Sequence, residues 1–465
     1  MKNLLNYKWY NLFFSSYYYR KHRMLPTNFE DKTVFFKAYN KTLNRIIPST
    51  GQQDVMPAST TIFSLPQASV LDMKSFRLNF HAKTNGTATA GQNVLFPKFI
   101  AGLIERMEIF VNGVSIQNIT NYGVIYQIMR NYSKDFEKYD RKLNNNSHPE
   151  KFERMSDAGV VTIDDSTSAT NTNILSNSQE RDYCIDDWCG FLDTCPEFFN
   201  TNLVGNVEIH ITWANASVLA ANTANVAAPT YTISKLYAFV DVVHFKDDSY
   251  INELDRKLSV NGELVIPYKN YRCYLGAMTN TNKTMTHRVT ESTQSLDKIM
   301  LTFLPSGRTT NGVWDAELNN SKYFQLSGLG LGYNATNTAS GTVQWEINSQ
   351  DVSNPLSFPE VYQETIKCFE LDRDGNAKHG NPAITPALYE KSFFVAALST
   401  SHLNAPDETK TIVSGMDTQA TALQIAAKTT QVRGNNAAQT AQPLMITEMT
   451  SLLRIGGGRQ ISVMF

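Results

Sequence analysis

The sequence predicts an all-β protein made of two sandwiches on one plan. A strand–turn–helix segment recurs, runs of period two fill the chain, and helical patterning is sparse. The recurring segment is EIFVNGVSIQNITNYGVIYQI at 108–128, echoed 236 residues later by QWEINSQDVSNPLSFPEVYQE at 344–364. In each copy an alternating strand ends at an asparagine (Asn112, Asn348) and a polar turn follows. A helix-like segment then carries a tyrosine one repeat length from its counterpart (Tyr126, Tyr362).

Taken in order, the first strand signals are 76–81 and 104–111. Ile125, Ile128, Met129, Tyr132 and Phe136 fall at three- and four-residue spacings and predict an amphipathic helix over 122–139. A shorter helix is expected at 192–199. Val207, Ile209, Ile211 and Trp213 alternate with Glu208, His210 and Thr212, which gives a strand with one apolar face. The run 234–245 is apolar on both parities, as a strand covered on two sides would be. Further strands are expected at 264–267, 285–289, 299–304, 343–347, 393–398 and 460–465. A helix is expected at 358–369, with Pro359 in its first turn, and a single turn at 385–389 starting near Pro386. Long polar connections separate these elements at 144–181, 214–229, 307–323, 334–341 and 404–440; such lengths suit surface insertions.

The chain has 465 residues, enough for two or three domains with sizeable cores. Only 18% of residues are charged, and 42 basic side chains offset 43 acidic ones. No global field therefore draws it to nucleic acid or anionic membrane. The neutral Asn- and Thr-rich surface suits coverage by partners. Five cysteines, an odd number, make no disulfide framework, and free thiols in a reducing compartment are the reading. Cys184, Cys189 and Cys195 are spaced too widely for a zinc knuckle. The opening MKNLLNYKWYNLFFSSYYYRKHR is aromatic and basic, with neither a membrane-length apolar run nor a signal-peptide pattern.

Catalytic patterns are missing: GxSxG, HExxH and Walker motifs do not occur. GLGLGYNAT at 328–336 lacks the phosphate-loop lysine and reads as a turn. Histidines are dispersed, and His210, His244 and His287 sit in strand-like runs. Carboxylates pair at Asp186–Asp187 and Asp247–Asp248. In DRDGN at 372–376, Asp372, Asp374 and Asn376 begin a calcium-like loop, but its twelfth position is Ala383, so it too reads as a turn. The stretch 130–146 interleaves Arg130, Lys134, Lys138, Arg141 and Lys142 with acids, as a solvated helix face does. No catalytic residue, cofactor ligand or metal ligand is assigned.

Four segments resemble the major capsid proteins of small double-stranded DNA viruses of the virophage, Polinton-like virus and adintovirus type. They are ERMEIFVNG at 105–113 with the helix through Tyr126, ELVIPYKNY at 263–271, STQSLDKIMLTF at 292–303, and TSLLRIGGGRQISVMF at 450–465. The resemblance implies a double jelly roll, two eight-stranded antiparallel sandwiches side by side with short helices in the loops, and a structural role without enzymatic activity. Pro267, Tyr268, Lys269, Asn270 and Tyr271 would mark the early part of the second jelly roll, Ser295, Leu296 and Asp297 would open a later strand, and 454–459 would turn into the final one.

The expected division is an N-terminal arm at 1–30, a first jelly roll at 31–215, a linker at 216–229 and a second jelly roll at 230–465. The implied partners are two further copies in a trimeric pseudo-hexagonal capsomer, neighbouring capsomers, and penton and minor or cement capsid proteins. Membrane or genome contact through the N-terminal arm is also implied, and no small-molecule substrate is. The implied place is the virion. Two alternatives stand beside this reading. One is a carbohydrate-active or carbohydrate-binding sandwich with Trp188, Trp213 or Trp345 lining a cleft; the other is a viral spike or adhesin.

Overall fold

Strand pairing divides the chain into two sandwiches with the same strand order. The computed structural model describes residues 39–51, 54–88, 94–132, 153–155, 161–163, 180–221, 226–246, 248–280, 284–305, 308, 314–315, 320–329, 341–369, 389, 392–400, 415–419, 423–430 and 440–465. Both sandwiches lie within one unit, 41–244 with 248–465. Outside it, the described residues are Tyr39, Asn40, Phe245 and Lys246, with the rings of Tyr39 and Phe245 edge to face at 6.1 Å.

The first sandwich uses β1 (Tyr39–Ile46), β2 (Thr60–Ser64), β3 (Val70–Ala88), β4 (Ile104–Val111), β5 (Val114–Thr120), helix α1 (Tyr122–Tyr132), β6 (Glu180–Ile185), the one-turn α2 (Phe191–Thr194), β7 (Phe198–Asn200), β8 (Val207–Trp213) and β9 (Val226–Phe245). One sheet runs β1-β9-β3-β7, with β6 also on β3, and the other runs β2-β8-β4-β5. Helix α3 (Ser249–Asn261) links the sandwiches.

The second sandwich uses β10 (Glu263–Leu275), β11 (Met285–Glu291), β12 (Leu296–Pro305), β13 (Thr342–Ile347), β14 (Gln350–Asp351), β15 (Leu356–Ser357), α4 (Phe358–Phe369), β16 (Ala396–Ser399), β17 (Leu423–Thr429), β18 (Thr440–Gly456) and β19 (Gln460–Met464). Its sheets run β10-β18-β12-β16, with β19 also on β18, and β11-β17-β13-β14, with β15 also on β13. Position by position this repeats the first sandwich. Two facing four-stranded sheets in this order make a jelly roll, so the chain is a double jelly roll.

The sequence echo is the third and fourth strands of the second sheet in each half. Asn112 and Gly113 take φ of 49° and 80° between β4 and β5, while Asn348 and Ser349 take 52° and 62° between β13 and β14. Two successive left-handed residues form the tight hairpin loop whose twist matches the strands, and asparagine tolerates that conformation at its first position. Each hairpin leads into a helix, α1 or α4, that carries Tyr126 or Tyr362.

Three expectations need correction. The linker is not at 216–229, nor does the second jelly roll begin at 230. β9 pairs with β3 from Val226↔Ala88 to Val243↔Val70, so 226–245 closes the first sandwich. The stretch before it reads as a seam because it follows an alternating strand and its Ala, Asn and Thr residues offer little to pack. The link is α3 instead, stopped by Gly262 in the left-handed conformation at φ 76°. Its Ile251, Leu254 and Leu258 have helical spacing, yet Leu254 and Leu258 are only half-buried and Ile251 is exposed. The helix expected at 192–199 is a single turn, because Pro196 lacks an N–H and forces Cys195 into extended backbone (ψ 160°). Finally, Arg130 does not belong to a solvated face; it is 5% exposed and paired with Asp187. The rest of that stretch beyond Tyr132, the DRDGN turn, the loop at 334–341 apart from its last residue, and the arm at 1–30 lie outside the described residues.

Candidate assembly surfaces

The buried side chains of both sandwiches form one continuous core. Polar anchors cross between the sandwiches. The Tyr268 hydroxyl on β10 donates to the Ile116 carbonyl on β5 at 2.5 Å, and the Tyr268 ring meets Phe191 edge to face at 5.1 Å. The Lys269 N–H donates to Thr194 Oγ1 at 2.8 Å. The Tyr132 hydroxyl at the end of α1 donates to the Phe393 carbonyl, and its ring stacks on Phe369 of α4 at 5.0 Å. Asn320 accepts from the Lys98 N–H at 2.9 Å and donates to Gln127 at 3.3 Å. The turn before β19 reaches back as well, where Asn112 Nδ2 donates to the Arg459 carbonyl at 3.3 Å and Arg459 Nε donates to the Asn202 carbonyl at 3.2 Å. The buried anchors satisfy polar groups that burial would otherwise penalise, while the two Arg459 contacts are exposed, so separating the halves costs hydrogen bonds as well as apolar area.

The segments singled out by sequence lie where the resemblance placed them. Pro267 to Tyr271 are in β10, the first strand of the second sandwich, and Ser295 immediately precedes β12. Asp297 is buried and bound by Lys269 Nζ at 2.8 Å, Ser295 Oγ at 2.7 Å and Thr450 Oγ1 at 2.7 Å. Gly457, Gly458 and Arg459 make the turn into β19, which pairs with β18 from Leu452↔Met464 to Gly456↔Gln460.

The residues that a carbohydrate cleft would need are elsewhere. Trp188, Trp213 and Trp345 are 4%, 1% and 2% exposed, so none offers a ring face to a sugar. Asp187 is spent on Arg130 and on the Tyr126 hydroxyl at 3.0 Å. Among the described residues no cluster of His, Cys, Asp and Glu has metal-holding geometry. Burial pushes the Cys195 thiol up to about 12 and the Cys368 thiol up to about 11, so both stay protonated at neutral pH and are poor nucleophiles.

Exposed apolar side chains gather at equivalent places in the two halves. Leu43 on β1 is 48% exposed and Ile47 just beyond it 52%; Val265 and Leu275 on β10 are 45% and 50% exposed, and Met278 beyond it 59%. β1 and β10 are the first strand of each sandwich and stand at the edge of their sheets. The middle of β10 is covered by the first sandwich through Tyr268 and Lys269, while Val265 near one end and Leu275 at the other stay exposed. On the outer face beside β1, Arg45 lies 4.2 Å over the Tyr237 ring, Arg77 5.2 Å over Phe239, and the two rings meet edge to face at 5.2 Å. Apolar edge strands with flat, ordered side chains are a liability in a monomer and an asset at an interface. Sequence reasoning missed this pairing of edges because it assigned no strand at β1 and only 264–267 at β10.

No protein-family model matches the sequence, and no curated protein does. Solved structures do match over nearly the whole chain. A chain of the Sputnik virophage cryo-EM structure aligns with a TM-score of 0.58 at 12% identity, covering 94% of this chain and 91% of that one. The Faustovirus major capsid protein gives 0.54 at 10% identity, with 94% of each chain covered. The mavirus major capsid protein gives 0.53 at 10% identity, covering 95% of this chain and 94% of that one. At such low identity the shared property is the fold.

Proposed function

We propose that this protein is a structural, non-enzymatic subunit of an icosahedral viral capsid, located in the virion. The observation that carries the reading is the double jelly roll itself, matched over 94–95% of the chain to the Faustovirus and mavirus major capsid proteins. The duplicated edges extend it. Three copies joined along flanks that include the β1 and β10 edges would close a ring with six sandwiches and a near-sixfold outline, the capsomer that tiles a shell. Neighbouring capsomers, and penton and cement proteins, would then cover the remaining polar surface through many weak contacts. The aromatic, basic arm at 1–30 would run to a neighbour, a membrane or the genome.

Light scattering on the chromatographed protein, followed by negative-stain imaging, tests the trimer. A particle of about three times the 52.2 kDa chain with a hexagonal outline is expected. Leu43→Lys and Leu275→Lys are expected to yield folded monomers, because a charge replaces an exposed apolar group without touching the core. A monomeric wild type, or trimers indifferent to both substitutions, would remove this assignment of flanks. Removing 1–25 should leave the trimer and hinder shell formation.

A further inference from the structure

Strand β6 is held on β3 by more than its backbone ladder. His81 on β3 lies directly opposite Asp182 on β6, and Lys83 opposite Glu180. His81 Nδ1 is 2.9 Å from Asp182 Oδ1, and Nε2 is 2.9 Å from Glu180 Oε1. Lys83 Nζ is 3.3 Å from the other Glu180 oxygen. A neutral imidazole carries one N–H and a carboxylate only accepts, so both contacts are hydrogen bonds only when the ring is the imidazolium. The remaining strand against β3 at this level is β9. It places Ser234 opposite His81 and the exposed Lys235 next to it. Arg77, four residues back along β3, is engaged with Phe239. Among the described residues, the charges in contact with the ring are thus two carboxylates on β6, one of which, Glu180, also holds Lys83.

We propose that His81 is a proton-operated clasp on β6, closed as the imidazolium and opened by deprotonation. The strand it holds stands beside β7 on β3, so the clasp controls how firmly β6 is tied to the sandwich. The Glu180 hydrogen bond, helped by Asp182, lifts the His81 pKa above its ordinary value against partial burial. The His81 bond, together with Lys83, lowers that of Glu180. The signs follow. His81 is raised in the fold, so its contribution is complete below the ordinary imidazole range and is lost as pH rises through the folded value. Glu180 is lowered, so its contribution is lost as pH falls through its folded value. The clasp is closed between those limits.

Hydrogen exchange on the intact protein, corrected for the intrinsic pH dependence of exchange, tests this. Protection of amides 180–185 should fall about two- to fivefold as His81 deprotonates, a size set by the partial exposure of the groups. In His81→Gln it should be low at all pH, and in Glu180→Gln the midpoint should move down. Amides 207–213 on β8 should be indifferent in all three proteins. A wild-type profile at 180–185 that stays flat through the His81 titration would overturn the proposal, as would the same transition persisting in His81→Gln. Should His81→Gln disturb β8 as well, the wild-type profile and the Glu180→Gln midpoint decide it alone.

Discussion

The two sandwiches share a strand order and differ in what fills them. The first is packed with aromatic wedges. Phe80 contacts Trp213 edge to face at 5.6 Å and Tyr183 at 5.8 Å, and the Trp213 indole N–H finds Thr61 Oγ1 at 2.9 Å. The second also packs rings, Phe303 on Phe394 at 6.0 Å among them, but is threaded by more charge than the first, which has the buried Arg130–Asp187 pair. Glu291 is fully buried and receives Arg272 at 2.6 Å, the Tyr274 hydroxyl at 2.9 Å and Thr447 Oγ1 at 2.8 Å. Glu448 is held by Lys298 at 3.3 Å, and Asp297 by Lys269. The fold therefore does not depend on one core chemistry. Strand alternation and tight turns set it, and the interior is filled in two ways that fail differently when a residue is lost.

The largest difference should appear on truncation. Trp213→Ala opens a cavity in the first sandwich and is expected to cost about 3–5 kcal/mol by chemical denaturation. Arg272→Met leaves Glu291 buried without its countercharge and should cost about 3 kcal/mol, the low end for a broken buried pair because the arginine is itself partly exposed. Arg272→Met combined with Glu291→Leu should recover most of that loss, whereas no second truncation rescues Trp213→Ala. If the double variant is as unstable as the single one, the ionic filling is not separable as described here.

A smaller effect distinguishes the matched hairpins. Ser349 occupies the left-handed position that Gly113 fills in the first copy. Ser349→Gly should stabilise by up to about 1 kcal/mol, and Gly113→Ser should destabilise by a similar amount. Equal signs in a thermal melt would show that the two turns are not equivalent.

The smallest effect is on pH. Burial would push the Glu448 carboxyl up, but Lys298 and Lys269 outweigh it and hold the group below its ordinary value. Its contribution is present above the unfolded carboxylate pKa and lost as pH falls through the folded one. Lys298→Met should move the acid limit of stability to higher pH, measured by denaturant midpoints across an acid series. The first sandwich's Trp213→Ala should instead lower the midpoints at every pH by the same amount, leaving the shape of the acid dependence unchanged.

How much of this was legible follows from what each signal reports. Period-two runs such as 207–213 and 104–111 gave strands because each buries one face, and the Asn112 and Asn348 turns gave the duplication because a left-handed pair tolerates few residues. The seam was illegible because β9 carries Tyr237 and Phe239 on its half-buried outer face under Arg45 and Arg77, so its pattern imitates a strand covered on both sides although only one face is buried. Helix α3 escaped because it packs little of its surface, and Arg130 because charge is read as exposure unless its counterion is known. Pairings such as Tyr268 with Ile116 join residues 152 apart, and no local pattern encodes them. His81 showed only as one of several dispersed histidines, since its partners arrive from a strand 99 and 101 residues away.

In both halves the final long strand is inserted at the centre of its sheet, β9 between β1 and β3, and β18 between β10 and β12. During synthesis the first sandwich can therefore close once residue 245 has cleared the ribosome. The second keeps an open slot between β10 and β12 until the strand ending at Gly456 emerges. With growth of about 5–20 residues per second, the nascent chain exposes that unpaired slot for many seconds after its first half has folded. In a cell making many copies at once, the interval invites a neighbour's β18 to occupy it, and chaperone demand for this polypeptide should concentrate there.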